Sequence, residues 1–520
     1  MANRTRMSVL YVVAALSLLA GCGGGGGTGG SSVQSGNPSG SGNTAAAGQG
    51  GNPSSSGGST STGQGSSGNS GGASKPGNTG GSGSSGGSGN TGGSGSSGGS
   101  GSSGGSGNSG GSGSSGGSGN SGGAGNSGGS GSSGGAGNAN HSLQRIGNTI
   151  LRSGESSLYT ACIDTTQGYA YFGTSGSVHP GYIVKVALGA GSAAPVEVAS
   201  LPLPSGQEGT ACSVIDTVHG YAYFGNLGSP ARIFKVALGA GNTPPRLVGS
   251  LVLNAGENKL FDGAIDVANG YAYFACATDP GYIVKISLGQ GDALPTRVGA
   301  TTLANGTGTI HRLLMDAANG YLYSVNNDDQ EICEVIKVAL GAGNAPPAPV
   351  STLILPAGED HVVYAALDTV TGYAYLATYD PGGVSDATTP GKIVKLRLNS
   401  GSQAPTRIGS ITVPQKYFTA GGIDPNTHYL YLGNDLTFPA SNVLQIAPGQ
   451  GNSLPSVVST IQLNPGTVHY TFATRPAPAD AKLAGEIYIR SGVIDPTGGY
   501  IYFGTDTYAG QVIKVAIPAH

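Results

Sequence analysis

The side chains best suited to chemistry in this 520-residue chain are a few histidines, arginines and carboxylates in its second half. His311 is followed directly by Arg312, and one residue separates Glu359 from His361. Imidazole and carboxylate groups exchange protons near neutral pH, so these four residues are candidates for acid–base catalysis, with or without a divalent metal. Residues 141–520 contain no G-x-S-x-G nucleophile motif and no H-E-x-x-H metal motif. With only 8 histidines in the chain, these observations favour binding over catalysis.

These candidates belong to a chain with an internal repeat. The element IDTTQGYAYFG at 163–173 returns as IDTVHGYAYFG at 215–225, and weaker copies continue to IDPTGGYIYFG at 494–504. Each copy carries one marker aspartate, and consecutive markers are 52, 50, 50, 52, 56 and 71 residues apart. A nearly constant period of this length indicates one supersecondary unit in seven copies. The markers are Asp164, Asp216, Asp266, Asp316, Asp368, Asp424 and Asp495.

Each repeat is predicted to form four short strands. Its runs are rich in β-branched and aromatic residues, and Gly, Pro, Asn and Asp separate them. A sheet of four strands cannot bury both of its faces alone, whereas seven such sheets arranged radially can. The sequence therefore predicts an all-β fold, a seven-bladed β-propeller of four-stranded blades, over residues 141–520.

The two ends of this region predict how the ring closes. QRIGNTILRSGE at 144–155 matches the fourth strand of other repeats, such as TRVGATTLANG at 296–306, yet no repeat precedes it. The seventh repeat stops at VIKVAIPAH, directly after its third strand. We therefore expect residues 142–151 to complete the last blade together with about 487–517.

The D-x-x-x-G-Y-x-Y-F-G and I-V-K-V elements resemble the YVTN-type repeats of bacterial extracellular propellers. The expected closure resembles that of other circular propellers, and the chain is more distantly similar to the streptogramin-lyase and lactonase propellers. The resemblance implies an architecture and not one activity, because propellers include hydrolases, lyases, dehydrogenases and binding modules. The chain has no Trp, so it lacks the tryptophan signatures of WD40 blades and of PQQ-type quinoproteins.

The first 140 residues are predicted to be an anchor and a spacer. Residues 1–22 combine two arginines with an apolar run that is too short to span a bilayer, which is typical of a cleaved secretory signal. Their last four residues, LAGC, resemble the lipobox of bacterial lipoproteins, which implies lipidation of Cys22; a plain secretory signal is the alternative. Residues 23–140 are mostly Gly, Ser and Asn with Lys75 as their only charge, and are predicted to be a flexible tether.

The expected protein is therefore a propeller displayed from the cell envelope, anchored by lipid at the outer membrane or cell surface. The formal net charge is −3 and no basic stripe predicts nucleic-acid binding. The expected partners of this monomeric propeller are the membrane, through the N-terminal lipid, and an extracellular glycan, peptide or protein. A propeller lyase or lactonase-like hydrolase is the alternative, and a purely structural surface protein is the third hypothesis.

Residues that recur in every repeat are expected to be scaffold, and residues that differ between repeats are the candidates for a site. The loops between the second and third strands and between blades vary in length, so a ligand is expected on the face they share. The position four residues before the marker differs in every repeat and adds Asp262 and Tyr364 as ligand-binding candidates. The longest insertion, at 465–486, adds His469, Tyr470 and Arg475.

Metal binding and disulfides are further hypotheses. Asp328, Asp329 and Glu331 form a dense acidic loop whose oxygens suit Ca²⁺, although their spacing matches no EF-hand, and no other cofactor is expected. Two pairs of cysteines lie on neighbouring repeats, which favours a disulfide within each pair. Four buried thiols are the alternative. The pairs are Cys162 with Cys212 and Cys276 with Cys333.

One lysine position recurs on the third predicted strand of six repeats, and Gln445 takes its place in the sixth repeat. We expect the lysine stems to pack along the sheet, with the ammonium groups paired or in water. The lysines are Lys185, Lys235, Lys285, Lys337, Lys395 and Lys514.

Overall fold

Seven four-stranded antiparallel sheets make up the described part of the chain in the computed structural model. No helix among these residues is long and apolar enough to cross a membrane. The signal peptide and the tether predicted at 1–140 lie outside the described residues. The structure describes residues 143–175, 180–205, 209–303, 308–327, 332–378, 390–435, 440–466 and 485–518.

Each of blades 1 to 7 has four strands, which follow one another from the centre of the ring to its rim. The first strands are β2 Leu158–Asp164, β6 Thr210–Asp216, β10 Leu260–Asp266, β14 Thr309–Asp316, β18 Val362–Asp368, β22 Phe418–Ile423 and β26 Ile489–Asp495. The second strands are β3 Tyr169–Thr174, β7 Tyr221–Asn226, β11 Tyr271–Cys276, β15 Tyr321–Asn327, β19 Tyr373–Thr378, β23 Leu430–Asn434 and β27 Tyr500–Thr505. The third strands are β4 Tyr182–Ala187, β8 Arg232–Ala237, β12 Tyr282–Ser287, β16 Cys333–Ala339, β20 Gly391–Arg397, β24 Asn442–Ala447 and β28 Gln511–Ala516. The fourth strands are β5 Val196–Pro202, β9 Arg246–Val252, β13 Thr296–Thr302, β17 Ala348–Ile354, β21 Thr406–Val413, β25 Ser456–Gln462 and, in blade 7, β1 Gln144–Ile150.

The ring closes as predicted, because β1 is the fourth strand of the last blade. Its sheet has the order β1-β28-β27-β26, and the antiparallel register runs from Gln144 opposite Ala516 to Ile150 opposite Gln511. A side chain adds to this closure: the Arg145 guanidinium on β1 lies 2.6 Å from the carboxylate of Glu486, in the loop before β26. The expected closure and the seven-bladed all-β fold are both confirmed.

The first strands form the innermost ring. Each contacts the first strands of both neighbouring blades, and these contacts run through all seven blades and return to the first. Such a ring encloses the central channel of a propeller. All first strands begin at the end where the variable loops lie, and we call this end of the channel the channel mouth. The opposite face, where the marker-aspartate turns lie, is called the turn face.

The repeated residues are scaffold, as predicted. The Asp164 carboxylate accepts the backbone N–H of Gln167 at 3.0 Å and so fixes the turn between the first two strands. The Tyr171 side chain is buried, and its hydroxyl donates to the carbonyl of Leu238 in the next blade. Each sheet buries both of its faces against the neighbouring blades, so an apolar cluster forms at each junction between two blades. The cluster between blades 2 and 3 contains Tyr223 and Phe274.

The repeated lysines are also scaffold, but their ammonium groups are not in water. Lys285 is fully buried, and its Nζ donates to four carbonyls of the third-to-fourth-strand turn of blade 4 at 2.6 to 3.2 Å. The same Nζ lies 4.1 Å from the ring centroid of Tyr271. Burial lowers the pKa of Lys285, and nearby Asp266 opposes the shift. Each such lysine ties its blade to the next one through a cage of carbonyls.

This cage explains the exception at Gln445. Blade 7 has no third-to-fourth-strand turn, because its fourth strand, β1, comes from the other end of the described chain. A lysine in blade 6 would therefore lack these carbonyls and would be a buried, uncompensated charge. Gln445 is neutral, and its Oε1 accepts a hydrogen bond from Ser459 at 2.8 Å.

The expected disulfides are wrong. Cys162, Cys212, Cys276 and Cys333 are all buried thiols. The members of each expected pair lie in different apolar clusters, because each thiol packs into its own blade junction. Burial raises the pKa of both Cys162 and Cys276 to about 12, which makes them unreactive core residues.

Candidate functional site

A β-bulge near the channel mouth occurs in every first strand. The pairing of the first and second strands shifts by one residue there and leaves the residue five positions before the marker aspartate outside the ladder. Bulges bend a strand and redirect a side chain, and they are common beside functional sites. These residues, which we call the bulge ring, are Tyr159, Ala211, Phe261, His311, Val363, Thr419 and Arg490.

Members of the bulge ring on neighbouring blades touch each other. The ring centroids of Phe261 and His311 are 6.1 Å apart, and the Arg490 guanidinium lies 5.4 Å from the ring centroid of Tyr159. A third member, Val363, packs against Tyr417 of the following blade, two residues before the bulge-ring residue Thr419. The ring therefore brings unrepeated aromatic and charged side chains together around the axis.

Blades 3, 4 and 5 contribute one polar cluster, and it contains the candidates predicted four residues before the markers. The Asp262 carboxylate accepts the backbone N–H groups of Gly263 and Leu313, at 2.9 and 2.8 Å. Burial raises the pKa of Asp262, and the positive charge of Arg312 opposes that shift. Burial also raises the pKa of Tyr364. The positive charge of Arg312 opposes that shift, and the negative charge of Asp262 adds to it. We call Asp262, Arg312 and Tyr364 the blade 3–5 cluster.

Arg312 extends from this cluster across the channel. Its guanidinium donates to the carbonyl of His311 at 2.9 Å and lies 3.5 Å from the carbonyl of Thr419. Thr419 is in blade 6, so the Arg312 side chain passes blade 5 and reaches toward the axis. A guanidinium in this place can meet a ligand that enters the channel mouth.

His311 is a buried, neutral imidazole beside the cluster. Only 7% of its surface is exposed, and its Nε2 lies 2.9 Å from the Thr309 hydroxyl. Burial lowers the pKa of His311 to about 3, and the charges of Arg312 and His361 add to the shift. At neutral pH His311 therefore acts as a hydrogen-bonding group and not as a cation.

His361 is the more accessible histidine, with 21% of its side chain exposed. Its Nδ1 lies 2.9 Å from the Asp360 carboxylate, an arrangement that orients an imidazole for proton transfer. The backbone of His361 is left-handed, with a φ of 52°. Ser157, Lys259 and Tyr417 share this conformation at the same position of their blades, so the strain belongs to the scaffold and does not mark catalysis.

Glu359 does not join His311, Arg312 and His361. Its carboxylate binds the guanidinium of Arg407 on β21 and the hydroxyl of Ser410. Burial alone would raise the pKa of Glu359. The contacts with Arg407 and Ser410 outweigh it, so the pKa is lowered. The pairs Glu257 with Arg297 and Glu486 with Arg145 repeat the contact in blades 3 and 7. Glu359 thus ties a loop to the outer strand, and Asp360 is the carboxylate that reaches a candidate histidine.

A second charged cluster, which the sequence patterns missed, lies at blades 6, 7 and 1. One NH2 of Arg490 is 3.0 Å from an Asp435 oxygen, and its Nε is 3.5 Å from an Asp506 oxygen. The Tyr159 hydroxyl donates to the same Asp506 oxygen at 3.4 Å. We call these four residues the blade 6–1 cluster. Counting five residues back from each marker, as well as four, would have found Arg490 and Tyr159.

Several candidates fall outside the described residues: Cys22, the acidic loop of Asp328, Asp329 and Glu331, and the insertion residues His469, Tyr470 and Arg475. Within the described ranges, no group of three or more His, Cys, Asp or Glu side chains could hold a metal ion. Calcium binding by the acidic loop stays a prediction.

The comparisons with known proteins concern the fold. No protein-family model matches the chain, and no curated protein sequence matches it. Similar solved structures include a putative 6-phosphogluconolactonase of Bacteroides fragilis, 14% identical with a TM-score of 0.46, in a match that covers 66% of this chain and 90% of that protein. A Lactobacillus plantarum protein is 14% identical with a TM-score of 0.46, and the match covers 63% of this chain and 85% of that one. The RRP9 WD40 repeats are 11% identical with a TM-score of 0.47, and 72% and 100% of the two chains are covered.

The propeller fold of this chain rests on its own strand order. At these identities and TM-scores, no activity or ligand of those proteins is assigned to this chain. The similarity to YVTN-type repeats and the lipoprotein signal stay predictions.

The buried His311 predicts a loss of stability in mild acid. Its pKa is about 3 in the folded protein against an ordinary 6.5, so the unfolded state binds the extra proton between these pH values. The contribution of the neutral His311 to the free energy of unfolding is complete above pH 6.5 and is lost as the pH falls toward 3. At pH 4.5 the difference is about 2 to 3 kcal/mol. Urea unfolding of the wild type and of His311→Gln should therefore show that the stability gap between them shrinks by this amount from pH 7 to pH 4.5. A constant gap would contradict a buried neutral imidazole.

Proposed function

We propose that the propeller is a binding module whose ligand enters the channel mouth. The observation that carries this proposal is the convergence of unrepeated polar side chains from separate blades, Asp262, Arg312 and Tyr364, while the repeated charges serve the scaffold. Binding sites commonly lie on one end of a rigid framework, where a few polar groups give specificity.

The arrangement of charge supports a polar ligand. Arg312 of blade 4 and Arg490 of blade 7 lie on opposite sides of the ring. Arg312 has one carboxylate, Asp262, and the Tyr364 side chain near it. Arg490 has two carboxylates, those of Asp435 and Asp506, and the Tyr159 ring. Such a mouth offers hydrogen-bond donors and acceptors on two sides and aromatic surface between them. A glycan, a peptide or a segment of a partner protein matches this chemistry, with contacts at both clusters.

Replacement of Arg312 tests the site. In the mature full-length protein, Arg312→Gln is expected to weaken binding to the best ligand on a glycan or peptide array by tenfold to a hundredfold, since a charged hydrogen bond contributes about 1.5 to 3 kcal/mol. Titration calorimetry would give the affinities, and thermal unfolding would confirm that the variant is folded.

The matched control is Arg397→Gln, at the exposed end of β20. This change should leave the affinity unaltered. Equal affinities of the Arg312 and Arg397 variants, or the absence of any binder on both arrays, would refute the channel-mouth site.

We further propose that lipid on Cys22 anchors the protein to the cell envelope, at the outer membrane or cell surface, and that the tether displays the propeller. The LAGC sequence and the Gly, Ser and Asn composition of residues 23–140 support this proposal. Cys22→Ser should move the protein from the membrane pellet to the soluble fraction of lysed cells. A variant that remains in the pellet would contradict lipid anchoring.

A second candidate function is acid–base catalysis of the lyase or hydrolase kind. The Asp360–His361 pair favours it, because an oriented and accessible imidazole can move a proton beside the Arg312 guanidinium. His361→Asn distinguishes the two functions. A binding module would keep its affinity within a few-fold, whereas an enzyme would lose turnover of the bound ligand.

A further inference from the structure

An ion pair between a loop and the rim recurs in three blades. In blades 3, 5 and 7, a glutamate in the loop before the first strand binds an arginine of the fourth strand, with the closest nitrogen and oxygen 2.5 to 2.6 Å apart. Each arginine donates through two of its nitrogens, so the contact holds the loop against the outer strand. The pairs are Glu257 with Arg297, Glu359 with Arg407 and Glu486 with Arg145.

Blade 1 carries a glutamate on both sides of this contact. The backbone N–H of Glu155 donates to the carbonyl three residues earlier, as that of Glu257 does, so the two residues occupy the same loop position. On the fourth strand, Glu197 holds the register position of Arg297. Both carboxyl groups face the backbone N–H of Arg152, and they are hydrogen-bonded to each other. Such a bond needs a proton on one of them, because an ionised carboxylate only accepts.

This carboxyl pair is buried, and its nearest cation compensates it poorly. Only 2% of Glu155 and 9% of the Glu197 side chain are exposed. The Arg152 Nε lies 2.9 Å from a Glu197 oxygen but is not aligned for a hydrogen bond, and 63% of the Arg152 side chain is exposed. An ion pair with so exposed a partner contributes little. Burial and the neighbouring charge of Glu155 raise the pKa of Glu197, and Arg152 opposes that shift.

The other ionisable groups on the packed elements do not neutralise the pair. The lysine among them is held in the carbonyl cage of the blade 2 turn, and the aspartate belongs to the blade 6–1 cluster. Among the residues that the structure describes, the charges that act on Glu197 are therefore those of Glu155 and Arg152. The other groups are Tyr182 and Lys185 on β4, and Asp506 and Tyr508 in the loop before β28.

The loop at 151–157 joins the closing strand β1 to the first blade. The N–H of Leu151 donates to the carbonyl of Gly510, and the N–H of Gly510 donates to the carbonyl of Glu155, at 2.9 and 2.8 Å. Two residues beyond the loop, Tyr159 joins the blade 6–1 cluster through Asp506. A change at the carboxyl pair therefore reaches both the ring closure and the channel mouth.

We propose that Glu155 and Glu197 are a proton-dependent latch for this loop. With one proton shared, the pair holds the loop against β5; without it, two buried negative charges repel each other and the loop separates from the strand. The raised pKa of Glu197 fixes the sign: the stabilisation is complete below the ordinary value of 4.5 and is lost as the pH rises through the higher value in the folded protein. This direction is opposite to that of His311. The latch goes beyond the binding function proposed above and does not depend on it.

Glu197→Arg is the sharpest test, because it rebuilds the ion pair of blades 3, 5 and 7. Hydrogen exchange of the full-length protein at pH 5.5 and pH 8, corrected for the intrinsic rate and read by mass spectrometry, measures the opening of the loop. We expect protection at 151–157 to fall by about fivefold or more from pH 5.5 to pH 8 in the wild type and to stay constant in the variant. Over the same interval, the melting temperature of the variant relative to the wild type should rise by about 2 °C or more. Both proteins contain His311, so its titration cancels in this difference.

Two further variants make the result decisive. Glu197→Gln places a neutral amide donor where the shared proton lies, so its loop protection should also be independent of pH, which covers the case of a poorly folded arginine variant. Asp292→Asn removes an exposed carboxylate that pairs with Arg246, and it should keep the pH dependence of the wild type. Loop protection that is the same at both pH values in the wild type, or that falls equally in the wild type and both Glu197 variants, would overturn the proposal.

Discussion

Deletion of residues 143–150, which removes β1, is expected to cause a large loss of stability. Without β1 the last blade has three strands, β28 becomes an exposed edge, and the ring loses the link between the two ends of the propeller. The expected decrease in the free energy of unfolding is about 5 kcal/mol or more, comparable with the whole stability of an ordinary domain. Urea unfolding followed by circular dichroism measures it.

The matched control is deletion of eight residues of the tether, 120–127, which should leave the unfolding curve unchanged. Arg145→Gln should cause a smaller loss than the strand deletion, because it removes the contacts of one side chain with Glu486 and Asn148 and leaves the strand in place. If the strand deletion and the tether deletion gave the same midpoint, the closure of the ring by β1 would be refuted.

Lys285→Met is expected to have the second-largest effect. Methionine fills a similar volume but donates no hydrogen bond, so the carbonyls of Gly341, Gly343 and Ala345 lose the ammonium, while that of Leu340 keeps the Tyr273 hydroxyl. We expect the free energy of unfolding to fall by about 3 to 5 kcal/mol, because several carbonyls lose their donor and each buried polar group left unsatisfied costs about 1 to 3 kcal/mol. The measurement is again equilibrium unfolding in urea.

Gln445→Met offers a control at the same strand position of blade 6, where no carbonyl cage exists. Its expected cost is smaller, about 1 to 2 kcal/mol, because Gln445 is neutral and its replacement removes ordinary hydrogen bonds such as that with Ser459. Equal losses in the two variants would mean that the cage contributes nothing beyond packing. A much larger loss for the lysine would establish it as the link between blades.

The fold could be predicted because its signal is repeated seven times. Marker aspartates at near-constant spacing, paired tyrosines and the unattached strand at 144–150 fixed the number of blades and the closure before any contact was known. The lysine position was also visible as scaffold, but its partners were not. The carbonyls that bind Lys285 come from residues 340–345, and their convergence depends on how blades stack.

The candidate site could be predicted only in part. The position four residues before the markers led to Asp262 and Tyr364, which meet beside Arg312. Arg490 was missed, because only the position four residues before the markers was compared. That the position five residues before them also carries unrepeated side chains of interest follows from the β-bulge, which becomes visible only in the strand pairing. Glu359 was nominated for its closeness to His361 along the chain, yet its side chain turns outward to Arg407. Side-chain direction in an irregular loop does not follow from spacing.

The most direct test of the channel-mouth site is hydroxyl-radical footprinting of the full-length protein with and without the tightest ligand from the arrays. We expect the ligand to protect Phe261, His361 and Tyr364 from oxidation and to leave Tyr169 and Tyr221, which lie at the turn face, unchanged. Protection confined to the turn face, with Phe261, His361 and Tyr364 oxidised as in the free protein, would contradict it.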